Sequence, residues 1–391
     1  MEGRNKKMEL LGNAPIPKAL LAMGLPTMIG MMINALYNLV DAYFVGGLGT
    51  SQMGAISVAF PLGQVVVGLG LLFGNGGASY ISRLLGRGDR ETADRAASTA
   101  LYSSIFVGAA VILCAVIFLK PLLKCLGATD SILPYAVTYA GIYVVSSIFN
   151  VFNVTMNNIV TSEGAARTTM CVLLTGAALN MVLDPVFIYV LKLGVAGAAI
   201  ATAISQAVST LVYLYYVISG RSMFCFRFRN CCFSNEIMSE ILKIGIPTLA
   251  FQLLTSLSIT MINMQAKPYG DSVIAGMGAV TRMISLGSLM VFGFIKGFQP
   301  IAGYNYGAGN YERLHEAIRI SVVWSTLFCA AFGLTMAVFS GPVISRFTKD
   351  DMEMIRIGQK ALKANGLSFL LFGFYTVYSS LFLGCLVGAL L

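Results

Sequence analysis

The sequence predicts an all-α, polytopic membrane protein built from two pseudo-symmetric helical lobes. Charged residues make up only 11% of the chain and hydrophobic residues 57%, whereas soluble proteins carry about 25% charged residues. So apolar a chain cannot cover itself with polar surface, and its solvent must be largely lipid. The net charge of +9 is spread between apolar runs and does not form a nucleic-acid-binding face. We expect a lipid bilayer as a partner and no nucleic acid.

Ten apolar runs are each long enough to cross a hydrocarbon layer of about 30 Å. The first run is too long for a cleavable signal peptide, and it contains Pro26 and Asp41. Several runs exceed about 20 residues and must tilt or protrude from the bilayer. The runs cover residues 17–45, 52–84, 96–122, 132–160, 166–190, 197–219, 238–266, 273–305, 317–344 and 354–387.

The loops between the runs predict the orientation and exclude some classes of protein. Fifteen Lys and Arg lie at the amino end and in the loops on its side, against six in the opposite loops. This bias places the amino terminus in the cytoplasm. The eight cysteines lack the spacing and further ligands of a zinc site, so no metal centre is expected. The one histidine, His315, lies in a loop, which argues against a membrane-embedded enzyme.

Two motifs recur at an offset of 221 residues and predict a parallel repeat. The segment 24–28 (GLPTM) recurs at 245–249 (GIPTL), and the Gly-x-Gly turn at Gly86 recurs at Gly307. A parallel repeat makes two lobes with a cavity between them. We predict an amino-terminal lobe of six helices over 1–220, a cytoplasmic linker over 221–235 and an incomplete carboxyl-terminal lobe over 236–391.

The second copy stops after its fourth run. Nothing in the chain corresponds to the fifth and sixth runs, so we expect the last two helices to be missing. The chain would then be a fragment, a truncated gene product or a natural short form.

Two carboxylates, Asp41 and Asp184, lie well inside apolar runs. An intramembrane acid costs at least about 2.5–3.5 kcal/mol, so it is a functional candidate by default. Asn34, Asn38 and Asp41 share one helical face, as do Asn180 and Asp184. Both acids fall in the outer half of the bilayer, where we expect them to face one cavity.

The fourth run adds a polar stripe, and such a stripe must face protein or water. The corresponding face of the tenth run, from Lys360 to Tyr378, is mostly apolar. Asn and Ser can also act only as interhelical hydrogen-bonding groups. In the eighth run, Lys296 could reach the cytoplasmic edge, and Arg282 lies near the outer interface. The stripe comprises Tyr139, Tyr143, Ser146, Asn150, Asn153 and Asn157, and the predicted substrate cavity comprises Tyr37, Asn38, Asn34, Asn150, Asn153 and Asn157.

Several segments resemble the multidrug and toxic compound extrusion (MATE) family, and its bacterial MepA-like group in particular. One of these segments is Tyr37-Asn38-Leu39-Val40-Asp41-x-x-Phe44-Val45-Gly46, which lies downstream of Pro26 in the same apolar run. The other segments are Ser162-Glu163-Gly164-Ala165-Ala166-Arg167-Thr168-Thr169, Asn180-x-x-x-Asp184-Pro185 and Gly194-Val195-Ala196-Gly197-Ala198-Ala199.

The resemblance implies twelve helices in two lobes and extrusion of small organic cations against inward H⁺ or Na⁺ flow. It implies a monomer in the bacterial inner membrane, with no cofactor beyond the coupling ion. The coupling acids resemble Asp41 and Asp184, with Asn180, Tyr139 and Thr202 as hydrogen-bonding partners. Some relatives carry an acid in the seventh helix, where this chain has Thr255.

For the mechanism, we expect Asp41 to take a proton from outside, which would release a cationic substrate. Asp184 and Asn180 could instead supply oxygen ligands for Na⁺ together with Asp41, and Thr202 could add a fourth. Two alternatives remain open: a lipid-linked oligosaccharide flippase of the same superfamily, and an inactive truncated transporter. A flippase would more typically need several cavity Arg or Lys, and only Arg282 and Lys296 qualify here.

Overall fold

The computed structural model describes residues 2–48, 50–130, 132–231, 234–266, 271–346 and 352–382. These residues form helices joined by short turns, and no strand occurs among them. Nine of the helices in the described ranges are long and apolar enough to cross a membrane. The predicted all-α, multi-pass architecture is confirmed.

The first half of the chain contains the first six predicted spans as α2, α3, α4, α6, α7 and α8. The third span ends at Phe118, before the predicted end, and a separate short helix follows it. Proline 185 lacks an N–H donor, and α7 continues beyond it as a π-helical turn over Val186–Val190. The helices are α1 (Glu2–Gly12), α2 (Ile16–Gly46), α3 (Thr50–Arg87), α4 (Arg90–Ile117), α5 (Leu119–Cys125), α6 (Leu133–Ser162), α7 (Ala166–Pro185) and α8 (Val195–Ile218).

The second half contains the remaining spans, and its last one differs from the prediction. The tenth run is divided by a 3₁₀ turn at Phe369–Leu371, and within the described residues neither helical part is long enough to cross a membrane alone. The predicted end of this run, 383–387, lies outside the described residues. The helices are α9 (Asn235–Ala266), α10 (Asp271–Gly307), α11 (Tyr311–Val338), α12 (Ser340–Ile344), α13 (Met352–Ser368) and α14 (Phe372–Leu381).

The two Gly-x-Gly segments form equivalent turns before α4 and α11, as predicted. Gly88 and Gly309 have φ of 78° and 71°, in the left-handed region that favours glycine. The next residue in each copy, Asp89 or Asn310, caps the following helix. Its side chain accepts a hydrogen bond from the backbone N–H three residues on, at 3.0 Å and 3.2 Å respectively.

The helices α3 and α10 cross so closely that their backbones touch. A Cβ atom placed on Gly86 would lie 2.0 Å from the carbonyl oxygen of Tyr304, and one on Gly307 would lie 2.0 Å from that of Arg83. Gly307 corresponds to Gly86 and Tyr304 to Arg83, each two residues being 221 positions apart in the chain. The helices α2 and α10 pack in the same manner as α9 and α3. The repeat therefore appears in the structure as a pseudo-twofold arrangement of contacts.

The polar amino-terminal segment forms the helix α1, which the hydrophobicity pattern did not predict. Asn305 donates to the carbonyl of Leu11 at 3.1 Å, and Arg313 donates to that of Ala14 at 2.8 Å. Helix α1 therefore lies across the junction of α10 and α11. We call this end of the bundle the amino-terminal face. Its assignment to the cytoplasm remains a prediction.

Candidate functional site

The structure brings together the two intramembrane acids of the first lobe. Helices α2 and α7 pack against each other, and the carboxyl groups of Asp41 and Asp184 lie within hydrogen-bonding reach. Asp184 is fully buried. About one turn beyond the acids, the hydroxyl of Tyr189 donates to the carbonyl of Phe44 at 2.6 Å. This bond ties the ends of the two helices together and holds the acids at the same level.

A third polar residue, Asn180, joins the acids to α8. Its amide donates to Asp184 Oδ1 at 3.2 Å and makes a longer contact with Thr202 Oγ1 at 3.5 Å. Asn180 lies one turn before Asp184 on α7, so the i, i+4 spacing alone places the two side chains side by side. The site thus combines residues of three helices, all in the predicted amino-terminal lobe.

Three oxygen atoms in this cluster are buried and have no hydrogen-bond partner among the described residues. They are Asp41 Oδ1, Asp184 Oδ2 and Asn180 Oδ1. A buried oxygen without a donor is costly, and two carboxylates side by side repel each other. A shared proton would relieve the repulsion, and a small cation with a preference for oxygen ligands would relieve both costs. The arrangement is therefore suited to binding a proton or a hard monovalent cation.

Three phenols surround the acids. The rings of Tyr37, Tyr139 and Tyr143 lie close enough to interact electrostatically with Asp41. The rings of Tyr139 and Tyr143 are stacked with centroids 5.8 Å apart and planes 10° apart. Helix α6 thus supplies an aromatic wall beside the acids.

The other predicted cavity residues have different contacts. Asn34 and Asn38 are exposed on α2, and the Asn38 amide donates to the Asn34 side chain at 2.8 Å. The Oδ1 atom of Asn150 is buried without a partner among the described residues. Asn153 donates to the Gln206 side chain at 2.8 Å and so joins α6 to α8. Asn153 is thus a packing residue inside the lobe, in place of the predicted cavity position.

The last residue of the stripe, Asn157, links the two halves of the chain. Its amide donates to the Tyr213 hydroxyl at 3.1 Å, and its Oδ1 accepts a hydrogen bond from the Lys296 ammonium. Lys296 therefore points between the lobes, and the expectation that it reaches the edge of the bilayer is wrong. Arg282 is exposed on α10.

Sequence reasoning missed a buried polar cluster at the amino-terminal face. Glu163, at the end of α6, is fully buried. Its carboxylate accepts hydrogen bonds from Lys7 at 2.9 Å, from the Tyr216 hydroxyl, from Ser222 at 3.2 Å and from the backbone N–H of Met223 at 2.6 Å. These donors come from α1, from α8 and from the turn that follows α8, so no local pattern could indicate them. The Ser-Glu-Gly turn was the only available signal.

The second lobe has no counterpart of the acid cluster within the described residues. Thr255 is exposed, and its hydroxyl donates to a carbonyl of its own helix. Aromatic rings instead form a continuous chain through α9, α10, α14, the 3₁₀ turn before α14 and α11, with successive centroids 4.9–6.4 Å apart. The chain runs Phe251, Phe292, Phe372, Phe369, Phe332 and Phe328.

Comparison with known proteins yields consistent matches over most of the chain. The MatE family model matches residues 26–186 and 247–386. The Multidrug export protein MepA of Staphylococcus aureus (strain MRSA252) is 29% identical over 377 residues, which span 95% of this chain and 83% of the relative. The protein of the same name from Staphylococcus haemolyticus (strain JCSC1435) is 28% identical, with the same coverage of both chains.

Solved structures show the same similarity. The chain matches the outward-facing conformation of a multidrug resistance MATE family transporter with a TM-score of 0.91 and 30% identity. It matches a MATE structure in complex with MaL6 with a TM-score of 0.92 and 29% identity. Each match covers 97% of this chain and 85% of the other.

Proposed function

The chain belongs to the MatE family, and from this premise we propose that it exports small organic cations in exchange for inward H⁺ or Na⁺. The nine apolar helices of the described part support a multi-pass membrane protein, and the family consists of transporters, which supports a function other than catalysis. The relatives named above are multidrug export proteins.

The acid cluster of the first lobe is the observation that carries the proposal. Asp41, Asp184 and Asn180 each have one buried oxygen without a hydrogen-bond donor among the described residues, so uptake of positive charge would stabilise the cluster. In the proposed cycle, a coupling ion enters the cluster from outside and displaces the organic cation. Release of the coupling ion to the inside then restores the negative charge of the cluster, which attracts the next substrate. Each inward positive charge gains about 2.3 kcal/mol per 100 mV of membrane potential.

The same cluster accommodates either coupling ion. A proton would lie between the carboxyl groups of Asp41 and Asp184, because two acids in contact need one proton to form a hydrogen bond. A sodium ion would take its ligands from both carboxylates and from the side-chain oxygen of Asn180, with Thr202 nearby on α8. The two ions are distinguished by which gradient drives transport.

Transport into sealed vesicles tests the proposal. The full chain is reconstituted, and movement of ethidium is followed under an imposed pH gradient or an imposed Na⁺ gradient. We expect one gradient to drive ethidium movement by the unaltered protein. Asp41→Asn and Asp184→Asn should each reduce this movement to the level of protein-free vesicles, because each removes a charge from the cluster.

Asp89→Asn is the matched control. It also removes one carboxylate, but Asp89 lies in a turn and an Asn there still caps α4, so transport should be preserved. Undiminished ethidium movement in both Asp41→Asn and Asp184→Asn would contradict the coupling role. No movement under either gradient by the unaltered chain would contradict the export function itself.

A further inference from the structure

The ammonium group of Lys296 lies at the boundary between the two lobes. It donates a hydrogen bond to Asn157 Oδ1 on α6, although Lys296 itself belongs to α10. Asn157 is buried and donates in turn to Tyr213. A cation of the second lobe thus contacts a neutral amide of the first.

This ammonium is not neutralised by a carboxylate among the described residues. The ion pairs in that part of the chain join Lys7 to Glu163, Arg83 and Lys243 to Glu240, and Arg95 to Glu91. A lysine ammonium has three N–H donors, and Asn157 accepts from one of them. A charge removed from bulk water is stable only when it is paired or well hydrogen-bonded. The remaining donors of Lys296 therefore favour an anionic or strongly accepting group.

A small cavity of about 20 Å³, enough for one water-sized ion, lies beside Lys296 between α3, α6 and α10. Lys296 is the only charged residue in its lining, which contains no carboxylate. The Asn158 amide donates one N–H to the Val154 carbonyl at 2.8 Å and has a second N–H. Gln299 adds a further amide, and hydroxyl groups complete the polar lining. One positive charge surrounded by neutral donors suits a single monovalent anion and repels a cation. The hydroxyl-bearing residues are Ser79, Ser82 and Thr161.

The repeat provides an independent comparison for this position. The equivalent of Lys296 in the first copy, 221 residues earlier, is Asn75. The Asn75 amide donates to the hydroxyl of Thr248 at 3.1 Å and thereby links the two lobes without a charge. A neutral amide therefore suffices for helix packing at this level. The positive charge is specific to the second copy, next to the pocket.

We propose that Lys296, with Gln299 and Asn158, forms a binding site for one small anionic group, either a free chloride ion or the carboxylate of a transported molecule. The site has the opposite polarity to the acid cluster of Asp41 and Asp184. It goes beyond the proposed cation export. Chloride binding does not depend on that function, because it can be measured on the protein without transport, whereas the carboxylate alternative rests on the proposed export.

Chloride binding is measured first on the purified full chain in detergent. Isethionate, a larger anion without a carboxylate, is replaced by chloride at constant ionic strength while thermal unfolding is followed. A ligand that binds only the folded state raises Tm in a saturable manner. We expect such a rise for the unaltered protein, about a tenfold or greater loss of chloride affinity in Lys296→Met, and substantial retention in Lys296→Arg. Lys120→Met, which removes an exposed lysine, is the control and should behave like the unaltered protein.

A second arm distinguishes a substrate carboxylate from a free ion. Rhodamine 110 carries a carboxyl group, and rhodamine 123 is its methyl ester. If the site binds the carboxylate of a transported molecule, Lys296→Met should raise the apparent KM for rhodamine 110 and leave that for rhodamine 123 unchanged. A chloride effect without dye discrimination assigns the site to the free ion.

The proposal is overturned if the unaltered protein shows no saturable chloride effect and treats both dyes alike. It is also overturned if Lys296→Met retains the chloride effect or the dye discrimination. Should Lys296→Met fail to fold, Gln299→Leu serves instead, since it leaves the lysine in place. This variant should weaken the response to chloride, and an unchanged response would contradict the proposed donor set.

Discussion

The two halves of the chain share equivalent backbone contacts at α3 and α10 but have different interiors. In the first lobe, helices α2, α6, α7 and α8 surround a polar centre that contains Asp41, Asp184 and Asn180. The described part of the second lobe has no such acid cluster and carries a continuous series of phenylalanine rings instead. Related helix contacts therefore accompany two chemistries. One interior is polar and acidic, and the other is apolar and polarisable.

The largest expected effect concerns the aromatic chain of the second lobe. Phe369 is only 3% exposed and contacts the rings of Phe372 and Phe332 at centroid distances of 4.9 Å and 5.4 Å. Phe369→Ala should lower the free energy of unfolding by about 3–5 kcal/mol, as measured by thermal unfolding in detergent. The dependence of transport on pH and on Na⁺ should be unchanged in this variant. A shift in either dependence would show that the second lobe takes part in coupling.

The next effect concerns the contact that the lobes share. Gly86→Ala and Gly307→Ala each place a methyl group against a backbone carbonyl. Each should therefore lower the free energy of unfolding by an amount toward the upper end of about 1–3 kcal/mol. The two losses should be similar, because the contacts are related by the repeat. Gly278→Ala is the control, since a Cβ there meets no atom within 4 Å. Clearly unequal losses for Gly86→Ala and Gly307→Ala would break the equivalence of the lobes.

A smaller effect is expected at the acid cluster. Asn180→Leu removes the side-chain amide that donates to Asp184. It should lower the free energy of unfolding by about 2 kcal/mol. It should also alter the dependence of ethidium transport on the coupling ion, which Phe369→Ala leaves unchanged. Asn365→Leu is the control in the second lobe, because Asn365 is exposed on α13 and donates only within its own helix. If Asn180→Leu behaves like Asn365→Leu in transport, Asn180 has no part in the site.

The smallest effect distinguishes the two equivalent helix caps. Asp89→Ala and Asn310→Ala should each cost about 1 kcal/mol at neutral pH. Hydrogen bonds from the hydroxyl and the backbone N–H of Thr92 hold the pKa of Asp89 below its ordinary value. An Asp whose pKa is lower in the folded state stabilises the folded protein at pH values above its unfolded-state pKa of about 3.9. This contribution is lost as the pH falls through the folded-state pKa.

Thermal unfolding of both cap variants between pH 7 and pH 3 provides the measurement. The cost of Asp89→Ala should shrink in acid, whereas that of Asn310→Ala should stay constant, because an amide does not titrate. A constant cost for Asp89→Ala across this range would contradict the proposed stabilisation by the Asp89 carboxylate.

The hydrophobicity pattern predicted the spans well because lipid imposes a minimum apolar length on each one. It placed the beginnings of α4 and α11 about six residues late, since the first turns of both helices are polar and lie outside the apolar runs. The capping residues Asp89 and Asn310, which follow the glycine turns, are the better signal. Helix α1 was missed for the same reason, because its polar residues form no apolar stripe.

The acid cluster was predictable, whereas the contacts between distant segments were not. An acid within an apolar run is visible in the sequence, and helical spacing placed Asn180 beside Asp184. The buried Glu163 depends on partners from three other segments, which spacing cannot bring together. Asn153 and Asn157 occupy one predicted stripe, yet the first bonds to α8 and the second also to Lys296. Which neighbour each amide meets is decided by helix packing.

The backbone contact between α3 and α10 has a consequence for how the two halves diverge. At Gly86 and Gly307 the helices meet through main-chain atoms, so the fit does not depend on the identity of any neighbouring side chain. After a duplication, residues elsewhere on these helices would be free to change without loosening the junction. Asn75 and Lys296 occupy equivalent positions about three turns away and already differ in charge. A junction without side chains therefore permits two copies of one ancestral unit to acquire separate tasks while remaining joined.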